Sequence, residues 1–411
     1  MNKKLLAVAV AGAFAAPAVV FAQSSVTLFG IADVAYVSKK HTAGDGTTHS
    51  KFTGIGEGMN AGNRVGFRGS EDLGGGLTAM FHIEQGINLT NGQLFSSRAA
   101  AAGQQYEGIS AAGNMPSGAY STGTNRQAFV GLKGGWGEVL AGYQYTTLYR
   151  MSTLSGFFVG SEQPGGNSHG TLDNGLYGGT RANGLVYNSP KFSNFQLSLL
   201  YGGLGGRETQ HFGLGASNAQ NGRTEDDARR WSAMLNYMSG PLNASIGYTH
   251  INTETSTVAA SATCPKNIFG ACTATTLAAV ATGTDISAKL WQIGASYQAG
   301  AFKIAGSWAK GSSDDSLAAG VTGDKDTKQY QIGVEYKAGA FRPFLTLGRG
   351  KTETGGAETG DFKDTQFGIR YDLSKRTTMY LMHGTSKDDV ASTAASIAKR
   401  QATGAGMMMT F

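Results

Sequence analysis

Beyond residue 22 the apolar positions recur with period 2, not 3.6. In Leu77–Glu84 one face carries Leu, Ala, Phe and Ile and the other Thr, Met, His and Glu, the alternation of a half-buried strand. The same pattern runs through 291–297, 330–336 and 367–371, greasy and aromatic on one side, Gly, Gln, Ser, Glu and Arg on the other. A soluble sandwich alternates as well. The aromatics closing the apolar face at strand ends (Trp291, Tyr297, Trp308, Tyr336, Tyr371) favour a membrane barrel, which is apolar outside, polar inside and girdled by aromatic rings.

Seven short turns punctuate this pattern, at 71–76, 133–138, 189–194, 238–243, 298–302, 337–341 and 372–376. They join fourteen strands, and one more at each end makes sixteen. Eight longer polar stretches alternate with the turns, at about 38–62, 86–124, 146–180, 203–229, 250–288, 309–328, 349–364 and 385–402. The arrangement predicts an all-β fold: a 16-stranded antiparallel transmembrane β-barrel over 23–411, with short periplasmic turns and eight long external loops. Phe411, with Met407 and Met409 on one strand face, reads as the end of the last strand.

Composition narrows the alternatives. The 411 residues include 62 Gly, 7 Pro and 2 Cys, and 15% are charged, roughly double the usual glycine with a deficit of charge. Without a G-X-Y period this is not collagen, and 10% aromatics argue against a disordered chain. No run beyond residue 22 has the ~20 apolar residues of a helical span. Residues 1–22 carry Lys3 and Lys4, an apolar stretch from Leu5 to Val20, and a small-residue site ending at Ala22, the grammar of a secretory signal peptide. A retained anchor would want a charged stop-transfer flank. The net charge of +6 is spread along the chain, so no nucleic-acid patch is expected. Cys264 and Cys272, eight positions apart in an exported chain, read as a loop disulfide; metal or thiol chemistry would want partners nearby. No cofactor or metal is expected.

Four segments together resemble a known family: Ser24–Asp33, Asn63–Leu77, Asn125–Leu132 and Arg181–Phe192. They are similar to the general-diffusion porins of Gram-negative proteobacteria, the branch found in Neisseria and Burkholderia relatives. The resemblance implies a homotrimer in the outer membrane, among its lipid and lipopolysaccharide, that passes small hydrophilic solutes and ions. It also implies a third loop, here 146–180, folded into the lumen with Glu162 and Asp173 facing a basic wall of Arg64, Arg126 and Arg181. Where the family often reads Gly-Arg-Gln, this chain has Gly142-Tyr143-Gln144. That arginine is missing or replaced by Arg150. The usual histidine near the C-terminus is Met409.

Alternation speaks to the wall independently. Arg64 and Arg68 share a parity with Gly66 and oppose Val65 and Phe67, so they face the lumen if those two face lipid. A lipid-facing Arg at mid-membrane would cost about 2–4 kcal/mol. Arginines lining a narrow pore favour anions, which predicts a mild anion preference; arginines and acids that merely brace the loop are the plainer alternative. Lys303, Glu335, Arg342 and Arg370 also read as lumenal. An enzyme would need more than His82 on a polar face and plentiful serines, and no nucleophile elbow or His/Asp spacing is present. A substrate-specific channel or a receptor barrel are nearer rivals. Tyr143 and Tyr145 share the face of Val139, and are expected toward lipid or a subunit contact.

Overall fold

The computed structural model describes residues 25–90, 126–147, 149–151, 181–202, 208–211, 220–263, 276–316, 324–390 and 397–411. The strands are β1 (Ser25–Ala43), β2 (His49–Glu57), β3 (Arg64–Gly74), β4 (Leu77–Gly86), β5 (Gln127–Gly134), β6 (Gly137–Tyr145), β7 (Arg181–Asn188), β8 (Phe195–Gly202) and β9 (Glu208–His211). They continue with β10 (Gln220–Ser239), β11 (Leu242–Thr263), β12 (Thr276–Ala299), β13 (Phe302–Ser316), β14 (Lys325–Tyr336), β15 (Phe341–Thr354), β16 (Ala357–Asp372), β17 (Thr377–Asp388) and β18 (Ile397–Thr410).

These segments close into one antiparallel barrel of sixteen staves. Two staves are composite. Along one side of β1, Ser25–Ile31 pairs with β3 and Val34–Thr42 with β2, and β8 and β9 likewise follow one another along β10. The seam joins β1 to β18, Ile31 opposite Thr410 through Thr42 opposite Lys399. Gly30 and Phe411 exchange backbone hydrogen bonds of 3.0 and 3.2 Å beside it.

Burial is inverted relative to a soluble protein. Leu28, Phe67, Val130, Ile293, Ile332 and Phe367 are exposed, while Gln144, Asn188, Asn236, Thr249, Gln292 and Gln366 are buried. Lipid takes the place of a core for the outer face, and the polar face needs the lumen. Aromatic contacts gather at two levels. Trp231, Tyr248 and Trp291 succeed one another at 5.0 and 4.7 Å. Toward the short turns lie Phe195 with Tyr237, Phe302 with Tyr336 and Phe341 with Tyr371, at 4.6 to 4.9 Å.

The strands run further than alternation shows. The stretch expected as a loop at 38–62 holds the end of β1 and all of β2, and that expected at 349–364 is β15 and β16 joined across Gly355 and Gly356. Above the bilayer both faces of a strand meet water, so pairing continues with no apolar face to betray it. At the β1–β2 tip the Asp45 carboxylate accepts hydrogen bonds from Thr47 N (3.0 Å), Thr48 N (2.9 Å) and Thr48 Oγ1 (2.6 Å). These bonds, that from the Thr48 hydroxyl foremost, hold its pKa down at about 2.

The wall is uneven in height. Strands β3 to β8 have 8 to 11 residues, whereas β10, β11 and β12 have 20, 22 and 24. At ~3.3 Å per residue, the upper rim of the short side lies part-way up the tall side.

Two segments leave that low rim inward. Residues 58–63 are pinned by Asp33, fully buried on β1. Its carboxylate accepts from Asn60 N (2.9 Å), Ala61 N (2.8 Å) and the Tyr380 hydroxyl (2.5 Å), and that hydroxyl accepts from Met59 N at 2.9 Å. Gly58 passes so close to Asp33 that a Cβ there would collide with the carboxylate. After β6, Arg150 N donates to Thr146 O at 3.0 Å, and Met151 is buried against Gly247 of β11, where no Cβ would fit. Gly247 is paired with Met234 and Gln292, both buried on the inner face. The chain therefore enters the lumen and reaches the inner face of β11, four staves round from β6.

Candidate functional site

Five residues at the low rim converge on one inner patch. Arg64 begins β3, Glu84 lies near the end of β4, Arg126 precedes β5, Tyr145 ends β6 and Arg181 begins β7. Glu84 is the centre. Arg126 donates to its carboxylate through Nε, and Arg64 Nη1 stands 3.9 Å from the same oxygen. Arg126 Nη2 also donates to the Tyr145 hydroxyl at 3.2 Å. The Arg181 guanidinium lies 4.9 Å over the Tyr145 ring, and Tyr149 stacks on that ring at 4.5 Å. Arg64 Nε donates back to Gly62 O at 2.9 Å, which ties it to the segment held by Asp33.

Two arginines thus share one carboxylate, and a third stands over the neighbouring tyrosine, on a wall patch that keeps contact with water, the side chains of Arg64 and Arg126 being 18% and 13% exposed. The local excess is positive. A cationic, partly desolvated surface in a channel attracts anions more strongly than the same charges in bulk water.

The other candidates separate from this patch. Arg68 lies four residues further along β3 on the same face, over the Phe29 ring at 5.4 Å, so it lines a different level of the lumen. Arg150 donates to Asn188 Oδ1 at 2.8 Å, and Asn188 in turn donates to Glu138 at 2.7 Å. That anchors the inward segment to β7 and β6 and keeps Arg150 out of the cluster. Tyr145 departs from its expected lipid-facing parity, because alternation lapses where the chain turns inward after the last residue of β6. Tyr143 does face outward. Glu162, Asp173, Cys264, Cys272 and residues 1–22 lie outside the described residues.

His82 sits between Phe29 (5.0 Å) and Phe129 (5.2 Å, rings parallel within 3°), 3.8 Å from Glu84. Phe129 is an inward aromatic kept by this stacking, which explains why β5 does not alternate cleanly in apolar character. Glu84 itself was not singled out from the sequence, though it shares the face of His82. Lower on the inner wall, Arg342 makes a bidentate pair with Asp372 (2.8 and 2.6 Å), and Glu335 meets Arg342 at 3.5 Å and Arg370 at 3.1 Å. Alternation placed Glu335, Arg342 and Arg370 on one face, and cross-strand register sets Arg342 opposite Arg370; Asp372, at the end of β16 where a short turn begins, joins them.

A Gram-negative porin family model matches residues 7–391. The chain belongs to the Gram-negative porin family. Among curated relatives, this porin is 31% identical over 270 residues to an outer membrane porin of Bordetella pertussis, covering 61% of this chain and 60% of that one. It is 34% identical over 259 residues to outer membrane porin protein 32 of Delftia acidovorans, covering 60% and 59%. The chain thus spans about 60% of the length of these relatives. Among solved structures it resembles an anion-selective porin from Comamonas acidovorans, with TM-score 0.61, 22% identity and coverage of 95% of this chain and 100% of that one. A trimer form of OmpT from Vibrio cholerae gives TM-score 0.57 at 13% identity over 94% of this chain and 99% of the other. These likenesses are of fold. Family and barrel together place the porin in the outer membrane.

Proposed function

We propose that this porin is a passive channel for small hydrophilic solutes and ions, with a mild anion preference set by Arg64, Arg126 and Arg181 around Glu84. The observation that carries the reading is the gathering of three arginines at the low rim, Arg64 and Arg126 on the single carboxylate of Glu84 and Arg181 over Tyr145, beside an inward-turning segment. Charge fixed at a narrow point governs which ions pass, because the field is concentrated there. Arg68 adds positive charge at another level. Glu162 and Asp173 are proposed to face this wall from the third loop, and Cys264 and Cys272 to form a disulfide. A homotrimer in contact with outer-membrane lipid and lipopolysaccharide completes the proposal, with no cofactor and no chemistry of its own. The anion-selective porin of similar fold and the trimer form of another support it by analogy. The His82 setting supports a wall role over catalysis, since its ring is enclosed by two phenyl faces.

Reversal potential in a planar bilayer under a KCl gradient tests this, repeated with Arg64→Ala and Arg126→Ala. An anion-side potential that collapses in the variants supports it; a cation-side potential overturns the ion preference while leaving a channel. A second reading is favoured by the Tyr145–Tyr149 stack beside the arginines, which suits a planar anionic solute. Saturable flux of such a solute would establish a specific channel.

A further inference from the structure

The outer surface of β13 to β15 changes character along the strands in a definite order. Ile304, Ile332, Leu345 and Leu347 are exposed and form the apolar part. Above them Trp308 is paired with Tyr330, and Tyr330 with Arg349. One step higher, with the same outward parity, Lys310 is paired with Lys328 and Lys328 with Lys351. On its other side Lys310 adjoins Trp291, an exposed member of the upper aromatic level. Neighbouring strands lie ~4.8 Å apart, so three ammonium groups and a guanidinium are packed directly above aromatic rings. Together they line an open groove of about 480 Å3.

The carboxylates nearby compensate one end of this row and leave Lys310 and Lys328 uncompensated. Lys351 is engaged with Glu358 at 2.6 Å, an exposed pair of the kind that holds weakly, and Arg349 with the buried Asp361 at 3.2 Å. Lys363 is shared between Asp361 and Asp389. Asp326 and Glu353 stand on the far rim of the groove, away from the aromatic level. Among the described residues Lys310 and Lys328 make no ion pair, and both are exposed. Two unpaired ammonium groups thus lie at the height where the hydrocarbon gives way to headgroups, the level that interfacial Trp and Tyr mark.

We propose that this groove is a binding site for a phosphorylated lipid headgroup of the outer leaflet. Lys310 and Lys328 hold the phosphate, Arg349 and Lys351 flank it, and Trp308 and Tyr330 rest against the upper ends of the acyl chains. The acids on the far rim repel a phosphate from above and keep it in the lysine row. The inference gives a site to the lipopolysaccharide contact proposed above and rests on that contact, not on the ion preference proposed for the lumen.

The test uses the full-length porin in detergent, titrated with lipid A carrying its phosphates, with dephosphorylated lipid A, and with inorganic phosphate, following thermal unfolding. It compares wild type with K310Q/K328Q and, as a control at the opposite end of the barrel, K133Q. Each basic group near an anionic lipid surface counts for about 1 kcal/mol, so the double variant is expected to bind phosphorylated lipid A roughly 30-fold more weakly. K133Q should match wild type, and single-channel conductance should be the same in all three, which verifies folding separately from binding. Equal affinity in the double variant would overturn the proposal. So would equal binding of dephosphorylated lipid A, which would make the contact apolar only, or competition by inorganic phosphate at lipid-like concentration, which would make it a free-anion site. A change of oligomeric state in K310Q/K328Q would assign the groove to a second copy of the chain instead.

Discussion

Arg126 donates its Nε–H to the Glu84 carboxylate, while Arg64 approaches the same oxygen from β3 at 3.9 Å. One acid therefore restrains two cations. Replacing Glu84 by Gln should leave both arginines uncompensated and move the KCl reversal potential further to the anion side, opposite in sign to Arg64→Ala or Arg126→Ala. If Glu84→Gln moved it toward cations, the rim patch would not set the preference.

Asp33 holds the segment that leads into Arg64. Asp33→Ala leaves the Asn60 and Ala61 amides and the Tyr380 hydroxyl without their acceptor, at about 1–3 kcal/mol for each buried donor left unmet. Lower thermal stability together with altered ion preference is expected. Tyr380→Phe removes one of the bonds to the acid and the acceptor of Met59 N, and should show a smaller effect in both measurements.

Gly247 leaves the space that Met151 fills. A leucine there should dislodge the inward segment and raise single-channel conductance, and Gly247→Leu combined with Met151→Ala should bring conductance back toward wild type. Unchanged conductance in Gly247→Leu would mean that the segment does not narrow the pore.

The β1–β2 tip carries a pH-dependent element. Asp45 has its pKa lowered to about 2 by Thr48 and Thr47, so the native tip favours the ionised form. Its contribution is present above the ordinary carboxylate pKa of ~3.9 and is lost as pH falls through about 2. Amide exchange at Thr47 and Thr48, corrected for the intrinsic rate, should remain protected at pH near 4 and lose protection on acidification. In Asp45→Asn that pH dependence should vanish.

Much of this architecture was legible because lipid and lumen impose opposite chemistry on alternate residues. Where both applied, as at Leu77–Glu84 or Phe367–Tyr371, the face of each side chain could be read directly. It failed above the membrane, where β15 and β16 are wet on both sides, and at strand ends, where Tyr145 turns into the arginine patch. Arg64 was readable from parity. Arg126 and Arg181 needed resemblance, since each stands at a stave terminus where period 2 no longer constrains direction. Glu84 joins them only through cross-strand register, which a linear sequence does not display.

The seam between β1 and β18 has a consequence for biogenesis. Ile31 meets Thr410, so the joint that closes the cylinder unites the two most distant parts of the wall, and such non-local pairing forms late. Until it does, the sheet has two bare margins, each able to recruit the margin of another chain. A nascent molecule of this design must be kept from its siblings during transit, and the decisive contest in its assembly is between joining itself and joining a neighbour.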